Sequence, residues 1–424
     1  MMPQQGPRSK SSLHRSLGRT TLTLITTAMI IDTGIFAALG MAMQKAGSGI
    51  LLAILIGGLV ALATGLSAAQ LGVRFPKEGG AFTWAREYDH ESVAFVAGCS
   101  YLGKGTFSVS VVALAFATYL ARALPALPIH IVAAAAVLLV TALNYRGIEP
   151  TSRVLIAVLV VDAGLLAVFA IFASPSVKPA NLTPVWGNGL TGVMSGAAAF
   201  FFTWDGFIRP AIMAGEVKDP KRSIPFAVVV GLSSAAIVFL GVAAVTLGVL
   251  GPNGSSADDL PILAAAMKAI GPWGAWCVLI AAWTAALGEM TGDLLSASRV
   301  GLAMGEAREL PGWLGAVHPR FHIPNHTVLV IGITCAVVSL LFDLRKVIPL
   351  TNVFTLIWYS VTNLSALRLR KSEQLASPIV SWFGLAGCIA LFAWQPPWAL
   401  AAGITVLFLL AGTRAIRRGL HPAR

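Results

Sequence analysis

Long apolar stretches, separated by short polar and basic connections, fill the chain from Arg19 to Thr413. A helix needs about 20 mostly apolar residues to cross the hydrocarbon of a bilayer. Twelve stretches fit, at about residues 20–43, 49–71, 92–121, 127–144, 153–173, 190–214, 224–250, 273–301, 327–342, 347–367, 378–394 and 396–413. The ninth and eleventh are short, and only Pro396 and Pro397 separate the last two. The pattern predicts an all-α membrane protein with 12 transmembrane helices, a tail over 1–19 and a second tail over 414–424. The first stretch follows Arg8, Lys10, Arg15 and Arg19 as a signal peptide would, but it is too long, contains Asp32 and precedes eleven more. It is read as a retained span.

Two of the twelve stretches are interrupted. The first contains Asp32-Thr33-Gly34-Ile35-Phe36 and the sixth contains Asp205-Gly206-Phe207. Glycine lowers helix propensity by about 1 kcal/mol, and each interruption also carries a carboxylate. At 1.5 Å per residue Asp32 lies roughly 18 Å, and Asp205 roughly 22 Å, from the start of its stretch. Interrupted helices at matching positions of two five-helix halves, here 20–173 and 190–367, point to an inverted-repeat transporter, with 378–413 as two added helices.

Composition sharpens this picture. Of 424 residues 56% are apolar and 11% charged, with a mean hydropathy of +0.79; soluble domains carry roughly 25% charged residues. A water-soluble enzyme, a disordered chain and a nucleic-acid binder are excluded. The net charge of +12 is topological: 22 of the 30 Lys and Arg fall on one side of the predicted membrane and 6 on the other. The positive-inside rule then puts both termini in the cytoplasm, in a multi-pass protein of the cytoplasmic membrane. Cys99, Cys277, Cys335 and Cys388 lie in apolar stretches without metal-ligand spacing. His318, His322 and His326 recur every four residues, but Pro319 and Pro324 break any helix there, so they read as loop residues and no metal site is expected.

Four segments carry a family resemblance. Gln70 to Trp84 reads QLGVRFPKEGGAFTW, Asn144 to Gly147 reads NYRG, Glu216 to Pro225 reads EVKDPKRSIP, and a fourth runs from Ser298-Arg299 to Leu310-Pro311. In this order and topology the chain resembles the amino acid–polyamine–organocation superfamily of permeases over most of its length. The resemblance implies a LeuT-like five-plus-five inverted repeat with discontinuous helices one and six, alternating access, and a central site at the two breaks. It implies H+ or Na+ as the possible coupling ion and no cofactor.

The breaks carry the expected chemistry. Half-helix N-termini offer N–H groups to a carboxylate and half-helix C-termini offer C=O groups to a cation. The resembled family reads Gly-Ser/Thr-Gly-Ile at the first break, and its amides hold a substrate carboxylate; here Asp32 replaces the first glycine. Two like charges 4 Å apart oppose each other by about 4 kcal/mol at an effective dielectric near 20. Asp32 therefore disfavours a substrate carboxylate and favours an amine. Asp32, Asp162, Asp205, Glu289 and Asp293 are five deep acids against the deep bases Lys104 and Arg209. Unpaired, five acids oppose insertion by order 10 kcal/mol, so a net anionic cavity for a cationic amine is the expectation.

The expected substrate-binding set is Asp32, Thr33, Gly34, Ile35, Phe36, Phe202, Trp204, Asp205, Gly206 and Phe207, with aromatic faces attracting ammonium. Asp162, Lys104, Glu289 and Asp293 form the coupling set, and Arg74, Glu78, Arg86, Glu216 and Lys218 an inner gate. Simpler roles stand beside these. Asp32 and Asp205 are also good helix caps. Asp162 occupies the place where some members of the resembled family carry a Lys; it is a proton carrier, a Na+ ligand or a partner of Lys104. The aromatics are also ordinary packing residues, Asp293 a hydrated vestibule residue, and the gate charges solvated surface pairs worth about 0–1 kcal/mol.

The leading function is secondary active transport of an amine-bearing substrate: an amino acid, a polyamine or another organic amine, favoured as the cation. A proton- or sodium-coupled neutral amino acid permease is the alternative. A divalent-metal transporter ranks lower, because the branch of this fold with an Asp at the first break adds a following proline and a Met-Pro motif, where Thr33 and Trp204-Asp205 stand here. No nucleophile–base pair or ATP-binding loop suggests an enzyme. The expected partners are the small-molecule substrate and the lipid bilayer, with no nucleic acid.

Overall fold

The computed structural model describes residues 17–76, 79–88, 90–147, 152–257, 259–321 and 323–420. Among them the elements are helical: α1 (Arg19–Ile30), α2 (Gly34–Ala46), α3 (Ile50–Arg74), α4 (Ala81–Arg86), α5 (Glu91–Ala123), α6 (Ile129–Tyr145), α7 (Ser152–Ala173) and α8 (Gly189–Phe200). There follow α9 (Arg209–Ile212), α10 (Pro220–Ala257), α11 (Pro261–Ala269), α12 (Pro272–Glu306), α13 (Asn325–Leu341), α14 (Leu344–Ala366), α15 (Pro378–Ala393) and α16 (Pro397–Leu420). Five of these open on a proline, where the missing N–H is not needed and the fixed φ suits a first turn.

Among the described residues seven helical segments are long and apolar enough to cross a bilayer, and four shorter apolar helices accompany them. Each of the twelve stretches read from the sequence holds a helix. The first is split into α1 and α2, and the sixth into α8, a 3-10 turn at Phe201–Trp204, and α9. The short helices α4 and α11 lie in connections, where hydrophobic length gave no signal.

The two splits touch one another. α1 ends where Ile31 leaves helical geometry (φ −84°, ψ 84°), and α8 with its 3-10 turn ends at extended Asp205 (φ −66°, ψ 171°). Gly206 takes φ +95°, which disfavours any residue with a Cβ. A Cβ on Gly206 would collide with the Met29 carbonyl oxygen of α1, and one on Gly34 would meet Thr203 Cα at 2.7 Å. The glycines thus do two things: they permit the breaks and let the broken helices cross in backbone contact.

The remaining helices enclose that crossing. α5 packs on α12 and α14, α10 on α1 and α3, α7 on α12 and α1, and α8 on α2 and α3. Apolar side chains such as Ile131, Ile171, Ile237, Leu341 and Phe408 face outward, whereas Lys104, Asp162, Asp205, Arg209, Glu289 and Asp293 are buried. An apolar exterior around charged interior groups is the arrangement a lipid solvent selects. At the N-terminal end, a parallel bridge joins Leu17 to Val217, tying the entry of α1 to the segment after α9.

Because Gly206 combines positive φ with backbone contact, Gly206→Ala should lose about 2 kcal/mol or more of stability. Gly312→Ala, with nothing within 4 Å of the added methyl, should be neutral. Thermal unfolding of the two purified variants in detergent checks this; equal midpoints would refute the reading of the crossing.

Candidate functional site

Breaking a helix exposes backbone N–H groups that water would otherwise satisfy. At the start of α2 protein carboxylates take them. The Gly34 N–H donates to Asp32 Oδ1 at 2.9 Å, and the Thr33 N–H donates to Glu289 Oε2 of α12 at 3.0 Å. Hydrogen bonds to charged groups contribute about 1.5–3 kcal/mol each, and the partial positive charge of the α2 N-terminus supports both. Asp32 is thus a cap and a cavity residue at once.

A second set of buried charges sits at the other break. Lys104 of α5 forms an ion pair with Asp205 and lies 3.6 Å from Asp293 of α12. Arg209, the first residue of α9, forms an ion pair with Asp293. The Tyr359 hydroxyl of α14 donates to Asp205 at 2.5 Å, and the Ser108 hydroxyl of α5 donates to Asp293 at 2.5 Å. All four carboxylate oxygens therefore have a donor, and two cations balance two anions. Buried ion pairs persist when their geometry is this complete.

Between the breaks and α7 lies a cavity of about 200 Å³. Asp32, Glu289, Asp162, Tyr101 and Arg209 line its inner part, with Met29, Val158 and Ala285 as apolar wall. It extends to Pro76, Gly79, Glu216 and Arg299, which belong to connections and helix ends. Asp162 accepts a hydrogen bond from Thr284 at 2.5 Å through Oδ1, while Oδ2 has no partner among the described residues. Asp32, Asp162 and Glu289 make no ion pair among the described residues. The five deep acids thus divide: Asp205 and Asp293 are neutralised by Lys104 and Arg209, and the other three face the cavity with one neutral donor each. Lys104 and Asp162 do not pair, because they approach α12 from different helices, α5 and α7.

Other expected residues fall elsewhere. Phe202 lies in an apolar core cluster that also includes Met290 and Ala297. Trp204 is buried where Cβ atoms on Gly57 and Gly58 would stand, and its ring is edge-on to Phe239 at 5.1 Å. Phe207 packs on Tyr359 at 5.0 Å, and Phe36 edge-on to Tyr119 at 5.7 Å. Ile35 is fully buried in the core. None of these side chains lines the cavity. Among the gate residues, Arg74 pairs with Glu373 at 2.6 Å, and its guanidinium holds that carboxyl below the usual range. Arg86 lies over the Phe82 ring, Glu216 lines the cavity mouth, and the Lys218 backbone bonds to Leu17. Glu78, Lys77, His322 and the tail residues Arg8, Lys10 and Arg15 lie outside the described residues.

Sequence reasoning passed over Ser108, Tyr359, Tyr101 and Thr284. Ser108 had a signal, since it lies one helical turn from Lys104 on the same face. Tyr359 and Tyr101 had none, because single tyrosines on separate helices carry no spacing.

A family model described as amino acid permease matches residues 17–412. The chain is 34% identical to an uncharacterised transporter of Mycobacterium tuberculosis, over 96% of this chain and 92% of the relative. It is 28% identical to a branched-chain amino acid permease of Bacillus subtilis, over 86% of this chain and 83% of that one. To a cationic amino acid transporter 3, mitochondrial, of Arabidopsis thaliana it is 26% identical, over 84% of this chain and 63% of the relative. With its apolar helices and buried midchain charges, the chain belongs to the amino acid permease family of the amino acid–polyamine–organocation superfamily: it is a multi-pass membrane transporter, not an enzyme.

Proposed function

We propose that this permease carries an organic amine, favoured in its cationic form, by alternating access across the cytoplasmic membrane. One observation carries the cargo assignment: the two amides at the α2 N-terminus already hold the Asp32 and Glu289 carboxylates. A substrate carboxylate arriving there would have to displace one of them or sit beside both. An ammonium would meet unpaired negative charge. Asp162 adds a third cavity carboxylate across the apolar wall. The names of the relatives, branched-chain in one and cationic amino acid in another, differ on cargo, so the site itself is the better guide.

The helix order supports a five-plus-five repeat with α1/α2 and α8/α9 as the broken pair and α15 and α16 added. By the positive-inside rule both termini are cytoplasmic, and the cavity mouth at Glu216 and Arg299 then opens inward. Coupling runs through a proton or Na+, or is replaced by exchange; Asp162, with one oxygen unpartnered, is the residue on which a coupling ion would act. The second reading, a coupled neutral amino acid permease, draws on Arg209 at the cavity wall as a seat for a carboxylate. Its charge is already met by Asp293, which makes that seat the weaker one.

Uptake into liposomes by purified protein, with a panel of amines and amino acids under separate H+ and Na+ gradients, tests the reading. Asp32→Gly should reduce amine uptake by about tenfold or more, a loss of about 1.4 kcal/mol, and Asp162→Asn should uncouple uptake from the driving gradient. Unaltered selectivity in Asp32→Gly would remove the cargo argument. Orientation has its own check: all four native cysteines are buried, so Ser296→Cys on the cavity wall should label with an impermeant maleimide in inside-out vesicles only. Labelling from the outside of intact cells would reverse the assigned direction.

A further inference from the structure

The junction around Lys104 holds more than a salt bridge. Lys104 lies within α5, flanked by Gly103 and Gly105. A Cβ on Gly103 would meet the Phe354 ring of α14 at 2.9 Å, and one on Gly105 the Ala297 Cβ of α12 at 2.6 Å. Both glycines press α5 against its neighbours at the level of the lysine, which is 4% exposed. Its ammonium thereby reaches the break before α9, contacting Asp205 and approaching Asp293, with the Tyr101 ring 5.5 Å away. Thr355, Trp358 and Tyr359 close the far side.

We infer that Lys104 is a tethered counter-cation: its ammonium fills a monovalent-cation seat built by Asp205 and Asp293, and the chain thereby supplies the charge that a free ion or amine would otherwise bring to this break. With Lys104 present, two carboxylates face two cations, Lys104 and Arg209, and their remaining oxygens are met by Tyr359 and Ser108. Without it, the same buried junction keeps two carboxylates and one guanidinium, a net negative charge that low-dielectric surroundings do not tolerate alone. A small cation of the right size would then be drawn into the space the side chain leaves. The inference concerns the second break and holds whatever the cargo of the cavity proves to be.

Thermal unfolding of Lys104→Ala in detergent, in ethylammonium chloride against equimolar choline chloride, tests it, since ethylammonium restores most of the deleted chain and choline is too large to enter. The expected result is a saturable rise in the Lys104→Ala midpoint in ethylammonium that exceeds by about 5 °C any rise the wild type shows through its own cavity. Equal midpoints for Lys104→Ala in the two salts, or the same rise in the wild type, would overturn the inference. Should Lys104→Ala fail to fold in either salt, the charge-neutral pair Lys104→Met with Asp205→Asn decides. Its recovery in choline, with no response to ethylammonium, supports the tethered cation, and its failure to fold counts against it.

Discussion

A helix interrupted inside an apolar body leaves backbone N–H and C=O groups that have no water to turn to, and the molecule is organised around how it meets that demand twice. At the first break the answer is two carboxylates, Asp32 from the break itself and Glu289 from α12. At the second the backbone turns back on itself, the Asp205 N–H donating to the Phe202 carbonyl and the Arg209 N–H to the Gly206 carbonyl, while the Asp205 carboxylate is met by Lys104 and Tyr359. Each answer recruits a distant helix. The interruptions therefore act as the points at which α5, α12 and α14 are fixed to the broken pair, rather than as defects in it.

The division of charge follows from the same demand. Lys104 and Arg209 are spent on Asp205 and Asp293, leaving Asp32, Glu289 and Asp162 to face the cavity without an ion-pair partner among the described residues. A closed, neutral network next to an open, acidic cavity separates two tasks that five acids and two bases, taken as a list, would blur. The network joins α5, α12 and α14 to the second break, while three carboxyl groups line the cavity. Gly34 and Gly206 bring the two regions into backbone contact, so a change in one must be felt by the other.

Much of this was legible in the sequence, and the boundary is physical. Hydrophobic length reported all the long helices, because a lipid solvent demands it of each one separately. Glycine beside aspartate reported both breaks, because helix propensity and the cost of a buried carboxylate are local quantities. Which acid meets which base was not legible. Lys104 and Asp205 are far apart in the chain and joined only by the packing of α5 against the break. The directions of Phe202, Trp204 and Phe207 were lost for a related reason: helical periodicity ends at the 3-10 turn Phe201–Trp204, so spacing no longer tells which way a side chain points. Trp204 points into a slot that Gly57 and Gly58 leave open on α3, a preference that only the partner helix reveals.

The amides of the first break are already occupied by the protein's own carboxylates. Calorimetric binding of matched pairs to the purified transporter, phenethylamine with phenylalanine, agmatine with arginine and cadaverine with lysine, compares ligands that differ by one carboxylate. In each pair that binds, the amine should be tighter by about tenfold or more, about 1.4 kcal/mol. Equal or tighter binding of the carboxylate-bearing member would contradict it.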